Sequence, residues 1–511
     1  MAAQPLFACQ IEAVKKYLHA FIEGQIDDIV EQVAAGALGV EQVERAVWGV
    51  VIALGRALMS ALLSLLCFRR MTRKLASNGL TVNDVYVRTD QRGMGTLTTT
   101  FGAAPFAWFT YRERRGGPTK RPASSLFPLY QWCRSSRMCL EWECALGSEH
   151  PFRSAEQAIA FFTHGAVAVS DSTIERHAVA VGKTLTDRWL YRPRHEIVAL
   201  LRERATIDAL TQEPLVYAST DAHILRRYVD DTWNADWKAI NGIRVWCIDR
   251  RTGEIIHLGG EFTWGNCEEV AERFSDLRRQ GVLPNDGDYG SGVRAQLVFV
   301  SDGARWIEER VYKLFPEAVC ILDAYHLLER FAKVAAEVHG AGTEACTRLQ
   351  VALGFAMGLR ERTARAPKRR KGHTKTRRVP RVLARVAPVE PAALHSRPQH
   401  IDRVVRALLT AFPDNAARPV AVNDLVAFLD DNAYRLDYAT YRARGIQIGS
   451  GAMESMHRFG SQLRAKRSGC RWLADTVLSI LNLRMLTRAG RWSEFWAQDD
   501  LDNQLAHRLA A

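Results

Sequence analysis

No two of the ten cysteines in this 511-residue chain stand in a Cys-x-x-Cys pair, so the sequence offers neither a zinc-ribbon frame nor a dithiol redox motif. Cys133, Cys139 and Cys144 cluster, but at spacings that fit no four-ligand zinc site. Scattered thiols of this kind suit a reduced, cytoplasmic protein. The N-terminus, Met-Ala-Ala-Gln-Pro-Leu, lacks a basic stretch followed by an apolar core, and no signal peptide is expected. Only residues 48–68 resemble a membrane span, and Arg56 interrupts them. A lone span with a central arginine is costly, so a buried helix or helix pair is expected there, with a dimer contact as one use and no membrane.

Acidic residues are absent from residues 362–385, which hold eleven Lys or Arg, so eleven of the net +13 charges sit in one block. Such a block attracts polyanions through counterion release, and nucleic acid is the usual partner. Within it, Lys368, Arg369, Arg370, Lys371, Arg377 and Arg378 are candidate DNA contacts; a solvated loop is the plainer reading. Acids are also missing from residues 455–473, where Arg458, Arg464, Lys466, Arg467 and Arg471 make a second basic candidate surface. Met456, Phe459 and Leu463 form the opposing apolar stripe there and are expected in the core.

Three short apolar runs end on aspartate. They are Leu-Val-Tyr-Ala-Ser-Thr-Asp at 215–221, Leu-Val-Phe-Val-Ser-Asp-Gly at 297–303 and Ala-Val-Cys-Ile-Leu-Asp-Ala-Tyr-His at 318–326. Each reads as a buried strand delivering a carboxylate at its end. Far downstream, Gly449-Ser450-Gly451-Ala452-Met453-Glu454 opens a helical pattern with a further acid. An aspartate at a strand tip often just caps the next helix. Gathered together, though, carboxylates suit magnesium or manganese, because hard cations prefer oxygen ligands. An acidic site within a basic chain points to phosphodiester chemistry on nucleic acid.

The order of elements sharpens that reading. Residues 1–75 look helical, and residues 80–109 alternate as a small antiparallel sheet. A helix at 154–164, a turn, and a second helix from Asp171 could form a helix-turn-helix. Strands at 216–229, 239–249 and 254–264, a helix at 267–281, a strand at 296–300, a helix at 305–315, a strand at 318–322 and a helix at 324–338 follow. This β-β-β-α-β-α-β-α order matches a ribonuclease H-like fold: an antiparallel meander, then parallel strands. In such a sheet Asp221 and Asp302 share one face, and Glu454 on a late helix can close the cluster. Three carboxylates can hold two magnesium or manganese ions about 4 Å apart. Asp323 and His326 form an Asp-x-x-His unit that would brace the carboxylates rather than bind metal directly. Asp230 and Asp231 are alternatives for the first strand's acid.

The fold class expected is therefore multidomain α+β. Residues 1–150 form a helical region with a small β element, for DNA binding or dimerisation. Residues 151–205 form the helix-turn-helix-like segment, and 206–340 the first part of a ribonuclease H-like core. Residues 341–444 are an all-helical insertion with the basic block, and 445–511 supply the final helices.

At these residues the chain resembles bacterial insertion-sequence transposases of the DDE class, in the Mutator-like group. The likeness rests on Ser301-Asp302-Gly303-Ala304-Arg305-Trp306-Ile307, Leu322-Asp323-Ala324-Tyr325-His326, Ile448-Gly449-Ser450-Gly451-Ala452-Met453-Glu454-Ser455 and Arg464-Ala465-Lys466-Arg467-Ser468-Gly469-Cys470-Arg471-Trp472, with Gly490-Arg491-Trp492 beyond. It covers roughly residues 200–500 and is nearest the ISKra-type and ISLre-type elements. Thr220-Asp221-Ala222-His223 departs from the group's pattern, having alanine where glycine is common. The resemblance implies catalysis of DNA strand cleavage and transfer by Asp221, Asp302 and Glu454. It also implies double-stranded DNA as partner, a homodimer or larger assembly, and a nucleoid-associated place in the cytoplasm. A catalytically inactive DNA-binding descendant and a structure-selective nuclease of the same fold are the alternatives.

Overall fold

The computed structural model describes all residues except 1–2, 78–85, 114–126, 229–234, 291, 360–397, 469 and 511. Asp230, Asp231 and the basic block carrying Lys368, Arg369, Arg370, Lys371, Arg377 and Arg378 lie outside the described residues. The chain divides into two compact units, one chiefly Met1–Trp189 with Arg464–Ala511, the other Leu190–Val229 with Asn234–Leu463. The last 48 residues, expected to complete the core, thus cluster with the N-terminal third.

The first unit begins with two long helices, α1 (Ala3–Ala34) and α2 (Val40–Ser77), packed as a pair. The most apolar window of α2 has mean hydropathy 2.2, long and apolar enough to cross a membrane, and only 17% of it is buried. Of the expected alternatives, a buried helix or a helix pair, the structure has the pair, with most of residues 48–67 half-buried and only Ile52, Leu63 and Cys67 fully buried. Arg56 does not mark a core position, since its Nε donates to the Phe101 carbonyl at 3.3 Å. That carbonyl belongs to the turn between β1 (Tyr86–Thr99) and β2 (Gly102–Glu113), which form the expected antiparallel sheet as a single hairpin. Next come α3 (Arg137–Glu149), α4 (Phe152–Phe162) and α5 (Asp171–Gly182). Ser170 caps α5, its hydroxyl accepting the Thr173 N–H at 3.3 Å.

The two helices expected around the turn at 165–170 are α4 and α5. On α5, Ile174, His177, Ala178, Ala180, Val181 and Gly182 are buried. A Cβ on Gly182 would lie 2.5 Å from the Ser479 carbonyl, so another helix lies directly on this one. Ser172 and Arg176 stay exposed on the same helix.

The second unit opens with α6 (Arg194–Glu203) and holds a five-stranded sheet of β3 (Leu215–Tyr228), β4 (Ala235–Ile248), β5 (Ile255–Thr263), β6 (Gln296–Ser301) and β7 (Val319–Leu322). Its order is β5-β4-β3-β6-β7. β3, β4 and β5 run antiparallel as a meander, while β6 pairs parallel with both β3 and β7. The Asp249 carboxylate closes the β4–β5 turn by accepting N–H groups of Arg251 at 2.8 Å and Thr252 at 3.3 Å. Helix α7 (Cys267–Arg279), with a full capping box at Asn266 and Glu269, bridges β5 to β6. The helix expected at 305–315 is a π-helical turn, Ile307–Val311, followed by a tighter one, Tyr312–Leu314.

After β7 come α8 (Ala324–His339), α9 (Glu344–Ala356), α10 (Gln399–Ala411), α11 (Val420–Asp431), α12 (Tyr438–Ala443) and α13 (Gly451–His457). The helices between Glu344 and Ala443 share one hydrophobic core with the sheet: Leu353, Val404, Leu425 and Tyr438 join Tyr217, Trp246, Val298 and Val300. Within the described residues these helices are thus a layer of this unit, not a separate body. The chain closes with α14 (Ala474–Arg488), α15 (Trp492–Trp496) and α16 (Leu501–Ala510) in the first unit.

Candidate active site

Residues 215–218 of β3 pair in parallel with residues 296–299 of β6, the last couple being Ala218 with Phe299. Asp221 and Asp302 each lie three residues further on, so the register that aligns the strands also aligns the two acids. The next ladder adds a third, because Ser301 pairs with Leu322 and Asp302 and Asp323 follow them. Three aspartates therefore stand in one row across adjacent parallel strands, Asp302 and Asp323 just past the carboxyl ends of β6 and β7 and Asp221 midway along the longer β3.

Their environments differ. Asp221 is half-buried, with its side chain 31% exposed. Its carboxyl titrates above the ordinary range, first because burial disfavours the charge and then because the Asp302 carboxylate repels it; the Ala222 N–H and His326 pull the other way. Asp302 is exposed, at a tip where β6 ends and one oxygen accepts the Ala304 N–H at 2.9 Å. The chain turns at Gly303, whose φ of +92° and 2.6 Å clearance to Leu322 Cδ1 exclude a side chain. Asp323 is wholly buried and caps α8, accepting the Tyr325 N–H at 2.6 Å and that of His326 at 3.2 Å. Its other oxygen accepts the Ser450 N–H. That carboxylate is committed to backbone and is not available as a ligand. His326 sits in the first turn of α8, with Nδ1 3.5 Å from Glu329.

Glu454 lies on α13, which packs across β3 and β4. It is exposed, as is Arg458 one turn later, where the helix loosens into a π-helical turn, Arg458–Gln462. Among the described residues no three His, Cys, Asp or Glu side chains stand close enough together to hold a metal ion. The paired, mutually repelling Asp221 and Asp302 fit a divalent cation, which relieves their repulsion. Glu454 is carried on the helix that packs on β3, the strand of Asp221.

Sequence reasoning missed His457. Its ring is buried beneath α13, with Nε2 3.2 Å from the Asp221 carbonyl oxygen and 3.6 Å from its carboxylate. Burial pushes the imidazole down to about 4, against the hydrogen bond to Asp221, so at neutral pH it is an uncharged donor rather than an ion-pair partner. Gly242 was missed as well. It pairs with Asp221 across β3 and β4, and a Cβ there would lie 2.3 Å from Met453 Cε. An isolated glycine inside a strand was the available signal for a close approach.

The basic candidates separate. Lys466, Arg467 and Arg471 are exposed. Arg464, expected at DNA, is buried: Nη2 donates to the Gly147 carbonyl at 3.1 Å, and the guanidinium lies over the Phe152 and Trp472 rings at 4.9 and 4.8 Å. Its burial lowers its pKa to about 10. It is a packing residue. Met456 is buried as expected, but Leu463 is 54% exposed and leaves the proposed apolar stripe. The straight 3.6-residue period behind that stripe is broken by the π-helical turn.

Fold and site together define a mixed α+β protein with paired carboxylates at the junction of two parallel strands. No protein-family model and no curated protein matches the chain. Among solved structures it is similar to a Drosophila P element transposase strand transfer complex, at 11% identity over 73% of this chain and 90% of that one, with a TM-score of 0.22. A fit that loose leaves the fold to be judged from its own strand order.

Proposed function

We propose that this chain is a DDE-class transposase of the Mutator-like insertion-sequence group, with a ribonuclease H-like core, that cleaves and joins double-stranded DNA. What supports the reading is the shared register of Asp221 and Asp302 on neighbouring parallel strands. The meander followed by two parallel strands in the order β5-β4-β3-β6-β7 agrees with that core. Asp221 and Asp302 would hold magnesium or manganese, with Glu454 joining them. Two such ions, when bound, supply an activated water or 3′-hydroxyl and stabilise the leaving oxygen. The protein's own part is positional. The β3–β6 ladder sets the spacing of the two aspartates, and Asp323 pins the loop that starts the Glu454 helix. Arg458, Lys466, Arg467, Arg471 and the basic block would carry the phosphate backbone. Two DNA ends per reaction imply a homodimer or larger assembly, in the cytoplasm at the nucleoid.

The test uses labelled oligonucleotides carrying the element ends. Asp221→Asn, Asp302→Asn and Glu454→Gln should each leave DNA binding intact and lower cleavage by several orders of magnitude, since each 1.4 kcal/mol of barrier is tenfold. Calcium should support binding alone, and magnesium or manganese both steps. Cleavage that persists in EDTA overturns the reading.

A second reading is favoured by the observation that, among the described residues, no three acids, histidines or cysteines gather closely enough to hold a metal ion. It is a DNA-binding descendant that no longer cleaves. Binding without cleavage in magnesium and manganese would select it, and cleavage without end joining would select a nuclease.

A further inference from the structure

We propose that His457 is a positioning residue that holds the Glu454 helix over Asp221, and so sets whether the acids of this site can share a cation. The proposal rests on the metal-binding reading of Asp221 and Asp302 and goes beyond it.

Three independent features converge on His457. The first is its hydrogen bond. Nε2 lies 3.2 Å from the Asp221 main-chain oxygen, which can only accept, so the ring hydrogen must reside on Nε2. The bond therefore reaches the backbone of the very residue whose carboxylate the site needs, and it crosses 236 positions of sequence to do so. The second is the space made for it. Gly242 faces Asp221 in the antiparallel ladder, and a Cβ there would stand 3.2 Å from His457 Cε1 as well as against Met453. Helix α13 can descend onto the sheet at this point because β4 has no side chain there. The third is the clamp on the ring. Phe262 meets it edge-on with centroids 5.8 Å apart, and the His223 ring lies at 5.6 Å. The imidazole is only 3% exposed, so it cannot swing away to bind substrate.

Glu454 and His457 are three residues apart, one turn of the same helix. Moving the histidine anchor shifts the glutamate with it. Main-chain geometry at Asp221 also determines where its carboxylate points, as the adjoining Ala222 N–H on Oδ1 at 2.8 Å illustrates. Groups that orient metal ligands in this way typically change metal affinity 10- to 100-fold when removed.

The experiment titrates full-length protein, free of DNA, with Mn²⁺ and follows binding by electron paramagnetic resonance. Four variants are compared: His457→Phe, His457→Gln, Gly242→Ala and Asp221→Asn. His457→Phe fills the same space without a donor and should weaken Mn²⁺ binding at least about tenfold, with an altered spectrum. His457→Gln keeps a donor at similar reach and should stay within about threefold of the parent, an outcome that packing alone does not produce. Gly242→Ala should resemble His457→Phe. Should His457→Phe fail to fold, His457→Asn replaces it, since its amide is too short to reach. Parent-like binding by the donorless variant, or equal loss in His457→Gln, overturns the proposal. Unchanged Mn²⁺ binding in Asp221→Asn would instead sink the metal reading of the site, whatever the His457 variants do.

Discussion

The Asp323 carboxylate accepts the backbone N–H of Ser450 across 127 residues of sequence, joining the end of β7 to the loop that begins α13. With the part-buried Tyr325 and His326 N–H groups it serves three donors at once, of which the Ser450 N–H is fully buried. Removing it leaves the buried donor without its partner, a cost of about 1–3 kcal/mol, and loosens the other two. Asp323→Ala should therefore lower unfolding stability in urea by roughly 2–4 kcal/mol, whereas Asp302→Asn, at an exposed tip, should change it little. Equal, small effects from both would show that the Asp323 cap is not structural.

Asp221 should behave oppositely. Its folded carboxyl titrates above the unfolded value, so at neutral pH the charge opposes folding, and the opposition fades as pH falls through the raised value. In EDTA at pH 7, Asp221→Asn should thus melt at a higher temperature than the parent. With added Mn²⁺ the order should reverse, because only the parent gains from binding. A parent that is more stable under both conditions would remove Asp221 from the site.

A buried pair in the first unit predicts an alkaline transition. His177 Nδ1 contacts the Glu143 carboxylate, with both side chains almost wholly buried. Burial pulls the imidazolium's pKa down, but hydrogen bonds to Cys133 and Glu143 outweigh this and raise it to about 9. A folded value above the unfolded one, about 6.5, means stability fully present below pH 6.5 and lost as pH rises through about 9. Denaturation midpoints should fall across that window in the parent and stay flat in His177→Gln. A parent midpoint independent of pH between 6.5 and 9 would contradict the pairing.

The two kinds of arginine should separate in DNA-binding assays. Neutralising Lys368, Arg369, Arg370 and Lys371 together should weaken binding to all sequences and reduce the salt dependence by up to about four charges' worth. Arg464→Gln should leave the salt slope unchanged and lower the melting temperature, because Gly147 and the Phe152 and Trp472 rings lose their partner. A slope lowered by Arg464→Gln alone would return that residue to the interface.

Strands β6 and β7 and their acids were legible because a strand buried on both faces is apolar along its whole length, and a carboxylate at its end breaks that rule visibly, whereas β3 runs on for seven residues past Asp221. Strands β3 to β7 fell within a few residues of the spans expected from apolar runs and turn residues. The half-burial of α2 was not legible, since an apolar run and one arginine look alike on a fully buried helix and a partly covered one. Nor was the burial of Arg464, whose guanidinium takes an aromatic sandwich that charge counting cannot detect.

Alternation and turn chemistry act over a few residues, so the sequence by itself determined the meander, the two parallel strands and the acids at their tips. Long-range contacts decided the rest. The β3–β6 and β6–β7 registers put Asp221, Asp302 and Asp323 in one row, and then the depth of each separated their work, with Asp323 buried as a cap and Asp302 left exposed. The glycine opposite Asp221 let His457 come down onto it. No local pattern encodes that meeting, because it depends on the empty volume beside one residue and the reach of another 236 positions away.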